Sequence, residues 1–148
     1  MNQRKISFIQ PPKTKEEWVE LLINDPDEFK RLLTLWQEKN QEIDLDLSRA
    51  TLCSRCLIGI DLQGIDLSEA NLIKSILSGS DLRDVNIHSA NLQEADIGMA
   101  DLRGAKLNKA NLYKIIVDGK TMLQGSCIDG AINIPESFMA QWTAQNNS

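Results

Sequence analysis

An apolar residue returns at every fifth position from Leu47 to Val117. Fifteen successive positions keep this phase, and twelve of them are leucine. We call this place in the five-residue unit the core position. Two residues earlier lies a small position, which is alanine in seven of the fifteen units. The middle position between them is Asp or Asn in ten. The pattern therefore predicts one repeating structure along half of the chain.

A period of five fits neither the 3.6 residues of an α-helix turn nor the plain alternation of a strand. The small, middle and core positions are instead a short extended piece, with the small and core side chains on one face. The two remaining positions favour a bend, and several units carry glycine at the last place, where a positive φ costs little. These glycines are Gly59, Gly64, Gly79, Gly104 and Gly119. The sequence predicts a coil whose turns stack at about 4.8 Å around the leucines.

Units such as Ala70-Asn71-Leu72, Ala90-Asn91-Leu92 and Ala110-Asn111-Leu112 resemble the A(D/N)LXX consensus of the pentapeptide-repeat family. The resemblance implies an all-β solenoid, a right-handed quadrilateral β-helix with four units per coil and about four to five coils. Looser units at Met122, Cys127 and Ile132 are expected to complete the last coil, which predicts that Cys127 is part of the core.

Some units depart from the pattern in the small position. Arg55 there predicts a distorted first coil or a side chain that reaches out through the end, because an unpaired buried guanidinium is costly. Leu45, Ile60, Ile65 and Ile115 are large for this position and predict locally bulged walls.

The flanks predict helices that cap the coil. Residues 1–13 are expected to form a loose tail. In the segment 14–42, Thr14 with Glu17 forms a capping-box pattern, and Asp25-Pro26 starts a second helix that is expected to fade near Asn40. The β-helix is assigned to 43–134 and a C-terminal helix with a polar tail to 135–148. Phe138, Met139 and Trp142 of that helix either cap the last coil or join two chains, so a monomer and a dimer both stay open.

Composition and charge narrow the classes of function. The chain has 148 residues and a net charge of −5, which argues against a nucleic-acid or anionic-membrane partner. It has neither an apolar run long enough for a membrane span nor a secretory signal, so a cytoplasmic location is expected. No nucleophile–base pair or phosphate loop is present in the sequence, so we expect no catalytic residues, no cofactor and no enzyme activity.

Three features of the sequence are candidate chemical sites. Cys53 and Cys56 have CxxC spacing but no second ligand pair, so surface thiols are favoured over a redox or zinc site. His88 is the only histidine and is interpreted as a solvated bystander. Asp61, Asp81 and Asp101 should stack as an acidic ladder, either neutralised by Arg83 and Arg103 or able to bind a hard cation. The neutralised ladder is favoured, so no metal site is predicted.

One side of the coil is predicted to be richer in apolar residues than the others. These residues are Cys56, Ile58, Ile76, Met99 and Ile116, which we call the apolar stripe. We expect the N-terminal helices to seal the first coil and lean onto the start of the stripe. Its far part near Met99 and Ile116 would then be left for a partner.

Two functions from different classes follow. The first is a non-catalytic interaction or scaffold module whose partner is another protein. The second comes from the resemblance, since some pentapeptide-repeat proteins mimic duplex DNA and inhibit or protect type II topoisomerases. The segment from Leu45 to Ile134 holds eleven acids and nine bases, which is sparse beside one charge per about 1.7 Å of duplex DNA. The charge therefore favours the interaction module.

Overall fold

A computed structural model of the chain describes residue 12 and residues 14–38 and 45–147. Helices α1 (Lys15–Asn24), α2 (Pro26–Glu38) and α3 (Glu136–Asn146) flank the coil. Outside the described residues lie three expectations: the loose tail apart from Pro12, the fading of α2 near Asn40, and the first residues of the coil at 43 and 44. Within the described part, no helix is both long and apolar enough to cross a membrane.

The middle positions pair in parallel with residues one coil further along the chain. Asp46 pairs with Asp66, Thr51 with Asn71 and Cys56 with Ile76, each twenty residues apart. Because a bend follows every five residues, each coil has four sides. The middle residues of the first side are Asp46, Asp66, Asn86, Lys106 and Cys127, and those of the second side are Thr51, Asn71, Asn91, Asn111 and Ile132. The middle residues of the third side are Cys56, Ile76, Asp96 and Ile116, and those of the fourth side are Asp61, Asp81, Asp101 and Met122.

Backbone hydrogen bonds join successive coils along their sides and at most of their corners. The amide of Leu52 donates to the carbonyl of Asn71 at 2.8 Å, and the amide of Asn71 donates to the carbonyl of Ala50 at 2.9 Å. At the corner, the amide of Ser54 donates to the carbonyl of Ile73 at 2.8 Å. Each bridged strand is a single residue, so the coils are held together by many separate backbone hydrogen bonds.

The core and small positions fill the interior. Leu52, Leu62, Leu102 and Leu112 are fully buried, as are the alanines at 70, 95, 100, 105 and 110. Ile60, Ile65 and Ile115 are also buried. Arg55 is exposed, so its side chain leaves the interior, which is the second of the two alternatives expected for it.

The side chain at the middle position also stabilises the backbone of its own corner. In ten of the fifteen units its Asp or Asn side chain accepts a hydrogen bond from the backbone amide two residues later, which closes the corner. One example is the bond from the Ser68 amide to Asp66 Oδ1 at 2.8 Å. This Asx-type turn explains why the unit prefers Asp and Asn, whose short side chains reach their own backbone.

One extra residue breaks the five-residue phase after Val117. Asp101 pairs with Met122 and Lys106 with Cys127, each twenty-one residues apart. The prediction that Met122, Cys127 and Ile132 occupy core positions is therefore wrong by one residue. Leu123 is fully buried instead, while Cys127 is exposed.

The side chain of Asp118 absorbs this insertion. At other corners an amide donates to a carbonyl of the next coil, as from Gly79 to Gly98 at 2.8 Å. The Met99 amide donates instead to Asp118 Oδ1 at 2.9 Å, and the same oxygen accepts the amides of Lys120 and Thr121. These backbone donors, the Met99 amide first, lower the pKa of Asp118.

The N-terminal helices begin as predicted. Thr14 and Glu17 form a capping box at the start of α1, and Asp25 accepts the Glu28 amide at the start of α2. Trp18 and Phe29 are buried with their rings edge to face, with centroids 5.6 Å apart. They belong to the same hydrophobic core as the leucines of the coil.

Helix α3 contacts the last coil through side-chain amides. Gln145 accepts the Leu123 amide at 2.6 Å and donates to the Thr121 carbonyl at 2.9 Å. Asn146 accepts the Gly125 amide at 2.7 Å and donates to the Leu123 carbonyl at 3.1 Å. Phe138 of this helix is buried, whereas Met139 is 41% exposed. The amides take the places that a further coil would have filled.

Replacing Leu92 by Ala should lower the free energy of unfolding by about 2–5 kcal/mol, because it leaves a cavity in the leucine column. Leu92 is 1% exposed. Chemical denaturation measures the change, with the exposed Ile132→Ala as the control. An unchanged unfolding free energy for Leu92→Ala would contradict the assignment of this column to the core.

Candidate interaction surface

The third side of the coil and its corner carry four of the exposed large apolar residues. Ile58 is 61% exposed, Ile76 38%, Met99 54% and Ile116 53%. Cys56 is exposed as well. Ile76 and Ile116 are middle residues of this side, two coils apart, while Ile58 and Met99 lie at its corner. The structure thus places the whole apolar stripe on one side, with its members at the surface.

Most of the third side lacks the corner hydrogen bond that an Asp or Asn middle residue accepts, although Asp96 keeps it. Five units lack Asp or Asn at the middle position, and three of them lie here, at Cys56, Ile76 and Ile116. Isoleucine has no acceptor atom for the amide two residues later, and the sulfur of cysteine is only a weak acceptor. Exposed apolar groups have therefore replaced a stabilising contact on this side.

A glycine lies at the corner that follows this side in three successive coils, as Gly59, Gly79 and Gly98. Gly98 has no side chain between the carboxylates of Asp96 and Asp118, and a Cβ built there would lie 3.2 Å from Asp96 Oδ1. Ser78 and Gly79 occupy the corresponding corner one coil earlier. Long polar side chains do not shield Ile76 at these places, so its side chain is open to a partner.

The N-terminal helices do not cover the start of the stripe. Lys15 of α1 donates to Asp46 and to Ser48 on the first side, whereas Ile58 on the third side stays mostly exposed. The expectation that these helices lean onto the stripe is wrong. Their apolar area is buried against the coil end, with Leu22, Phe29 and Leu33 in the common core.

The fourth side carries the acidic ladder with its neutralising bases. Arg83 lies 2.6 Å from Asp81 Oδ2 and 3.8 Å from Asp101 Oδ2, and Arg103 lies 2.6 Å from Asp101 Oδ2. Asp61 stacks at the start of this column through its bridge to Asp81. Arginine thus neutralises Asp81 and Asp101, as favoured from the sequence, whereas Asp61 forms no ion pair among the described residues.

These ion pairs set the protonation of the ladder. Hydrogen bonds from Arg83 lower the pKa of Asp81, and hydrogen bonds from Arg103 lower the pKa of Asp101. Burial works in the opposite direction at both carboxyls. Both groups stay charged at neutral pH and are already engaged by arginine.

The other candidate groups are not brought together. Cys53 belongs to the corner that follows Thr51 on the second side, and Cys56 is a middle residue of the third. The backbone amide of His88 donates to Asn86 Oδ1 at 3.2 Å. In the described ranges, no group of three or more His, Cys, Asp and Glu side chains is placed to hold a metal ion.

Acid should destabilise the fold through the fourth side. Because folding lowers the pKa of Asp81 and Asp101, their contribution is complete above the ordinary carboxyl pKa of about 4 and is lost as pH falls through the lower folded values. Melting temperature followed by circular dichroism between neutral pH and about pH 2 should fall below pH 4.

Arg103→Gln should reduce the acid-dependent part of this fall, because Asp101 then loses its main partner. Lys106→Gln is the matched control, since Lys106 forms no ion pair among the described residues. Parallel pH curves for the parent and Arg103→Gln would contradict the role given to this pair.

The solved structures that are similar to this chain include the following three. A pentapeptide repeat protein from Nostoc is 31% identical, covers 76% of this chain and 90% of its own, and has a TM-score of 0.37. A pentapeptide repeat protein from the thylakoid lumen of Arabidopsis thaliana is 24% identical, with 68% and 72% covered and a TM-score of 0.43. QnrB1, a plasmid-mediated fluoroquinolone resistance protein, is 18% identical, with 58% and 57% covered and a TM-score of 0.40. None of the curated proteins matches this chain.

The family model of pentapeptide repeats matches residues 46–84 and 86–119 in eight copies. The matched residues are those whose middle positions form the parallel bridges of the coil. With the five-residue pattern and the four-sided coil, these matches show that the chain belongs to the pentapeptide-repeat family.

Proposed function

We propose that the protein is a non-catalytic interaction module whose third side binds another protein. The observation that carries this proposal is the exchange found on that side: three middle positions give up a corner-closing Asp or Asn for exposed Cys56, Ile76 and Ile116. A purely structural coil has no use for the exchange, because it costs a hydrogen bond and leaves apolar surface in water. A bound partner would cover that surface.

The distribution of charge supports the same side. The fourth side has its carboxylates engaged by Arg83 and Arg103, and the first-side corner pairs Arg49 with Glu69 at 3.1 Å. Exposed ion pairs of this kind contribute little to binding, because water and salt screen them. The third side instead presents exposed apolar surface, which a bound partner would remove from water.

The ends of the coil support its use as a rigid platform. We assign α1 and α2 as the cap of the first coil and α3 as the cap of the last, in a right-handed β-helix of four to five coils. The amides of Gln145 and Asn146 hold backbone groups that would otherwise be open to a second chain. This arrangement favours a monomer over a dimer joined through α3.

Removing the two amides together, as Gln145→Ala with Asn146→Ala, should lower the free energy of unfolding by about 1–3 kcal/mol, since several hydrogen bonds to the coil are lost. Denaturation measures the change, and Asn147→Ala, at an exposed position beyond α3, is the matched control. Light scattering on a chain ending at Asn133 tests the assembly. If a full-length dimer became a well-folded monomer, the capping role would be rejected.

Replacing Ile76 and Ile116 together by Asn should separate stability from binding. At position 76 the Asn can accept the amide two residues later, as Asn71 does at 3.2 Å. At position 116 that amide, of Asp118, already donates to Thr121 Oγ1, so the melting temperature of the double variant should stay the same or rise. Binding to the native partner should fall, because the apolar surface is gone.

The measurement uses the intact chain as bait in an extract of the native host, with bound proteins compared quantitatively between variants. Ile132→Asn is the control, since Ile132 is equally 53% exposed but lies on the second side. A bound protein that is lost with the double variant and kept with Ile132→Asn supports the proposal. Equal recovery with all three chains would exclude the third side as the binding surface.

Mimicry of duplex DNA is the alternative, and the fourth side argues against it. A mimic needs regularly spaced carboxylates that are free to meet a basic groove, whereas Asp81 and Asp101 each bind an arginine at 2.6 Å. We expect no effect on DNA supercoiling by purified gyrase. Inhibition, or protection from quinolones, at micromolar protein would reverse this ranking.

A further inference from the structure

A groove separates helix α1 from the first corner of the coil. Its volume is about 510 Å³. Val19 and Ile23 of α1 face Ala50 across it, and the corner residues Ser48 and Arg49 complete the wall on the coil side. The groove lies on the first side, away from the apolar stripe.

The groove is long and narrow. Its helical wall consists of two neighbouring rows of side chains, one of Lys15, Val19 and Ile23 and the other of Glu16, Glu20 and Asn24. These rows run the whole length of the ten-residue helix, which is about 15 Å. An extended chain of four or five residues has that length at about 3.3 Å per residue. The shape therefore fits a linear peptide.

At the coil wall of the groove, the carbonyl of Ser48 and the nearby amide of Thr51 have no hydrogen-bond partner among the described residues. Elsewhere the corner carbonyl accepts an amide from the previous coil, as Ser68 accepts the Arg49 amide at 2.8 Å. The equivalent carbonyl of Ser48 has no previous coil, and within the described part of the chain it accepts no hydrogen bond. The backbone amide of Thr51 likewise donates no hydrogen bond within the described part of the chain, whereas the equivalent amide of Asn71, one coil later, donates to the Ala50 carbonyl. The first coil thus presents an open strand edge.

The charge around the groove is acidic once existing pairs are counted. Lys15 is held by Asp46 at 3.2 Å and Arg49 by Glu69 at 3.1 Å. The carboxylates of Glu16 and Glu20 accept no hydrogen bond and form no ion pair in the part of the chain that the structure describes. An occupant with a basic side chain would complement these two carboxylates.

We propose that this groove binds an extended segment of another protein, with apolar side chains against Val19 and Ile23 and a lysine or arginine beside Glu16 and Glu20. The segment adds one more rung to the coil: one of its amides donates to the Ser48 carbonyl, and one of its carbonyls accepts the Thr51 amide. This is strand addition at a sheet edge, in which backbone bonds give affinity and the groove selects the side chains. The site is separate from the third side.

The test uses the full chain and a fluorescein-labelled hexapeptide of alternating leucine and lysine, followed by fluorescence anisotropy. We expect saturable binding, and the double charge reversal Glu16→Lys with Glu20→Lys should weaken it by about tenfold or more. The control is Asp27→Lys with Glu38→Lys, which makes the same charge change at exposed positions of α2 and should weaken binding less than about twofold. Melting curves check that both variants fold.

Backbone pairing has its own readouts. Exchange of the Thr51 amide with solvent should slow when the peptide binds, and a peptide whose backbone amides are methylated should not bind. Ile76→Asn with Ile116→Asn should bind the hexapeptide as the parent does, so this result does not depend on the third side.

Four outcomes would overturn the proposal. The first is equal binding of a leucine–glutamate hexapeptide, and the second is unchanged exchange at Thr51. The third is binding only by a chain that starts at Pro12, which would assign the groove to residues 1–11 of the same chain. The fourth is self-association that Glu16→Lys with Glu20→Lys abolishes, which would assign it to a second copy.

Discussion

The hydrogen bonds between successive coils are the constraint on which the rest of this structure depends. Each backbone pair, such as Leu52 with Asn71, fixes one residue directly above another residue one coil away. Every column of like residues follows from that vertical alignment: leucines stack on leucines, and alanines leave room where two walls approach. The alignment also decides the surface, because it fixes which side chains lie one coil above and one coil below each side chain that faces water.

The middle position decides both how a corner is closed and what character the surface has. An Asp or Asn there closes the corner, and Asn91 does so for the Gln93 amide at 3.2 Å. An isoleucine there, as at Ile76, has no acceptor atom for the amide two residues later and exposes an apolar surface instead. Since stability favours the polar residue at every unit, a cluster of exceptions on one side marks the place where another requirement has acted.

Most of the architecture could be predicted from the sequence, because a strict period leaves few arrangements of the chain. The core column, the side carrying Ile76 and Ile116, and the starts of α1 and α2 all follow from spacing and capping residues. The phase after Val117 could not be predicted, since Met122 and Leu123 are both apolar and either could continue the core. The groove beside α1 could not be predicted either, because it depends on how a helix lies against a coil end.

The single inserted residue near Asp118 gives this repetitive chain a fixed point. A uniform five-residue repeat can pair with itself in many shifted alignments that all bury leucine, so a folding chain has several nearly equal choices. Only one alignment brings the Asp118 carboxylate to the Met99 amide. A shifted pairing separates that carboxylate from the Met99 amide and moves the extra residue to a corner without this contact. The irregular unit thus selects the native alignment for the coils on both sides of it.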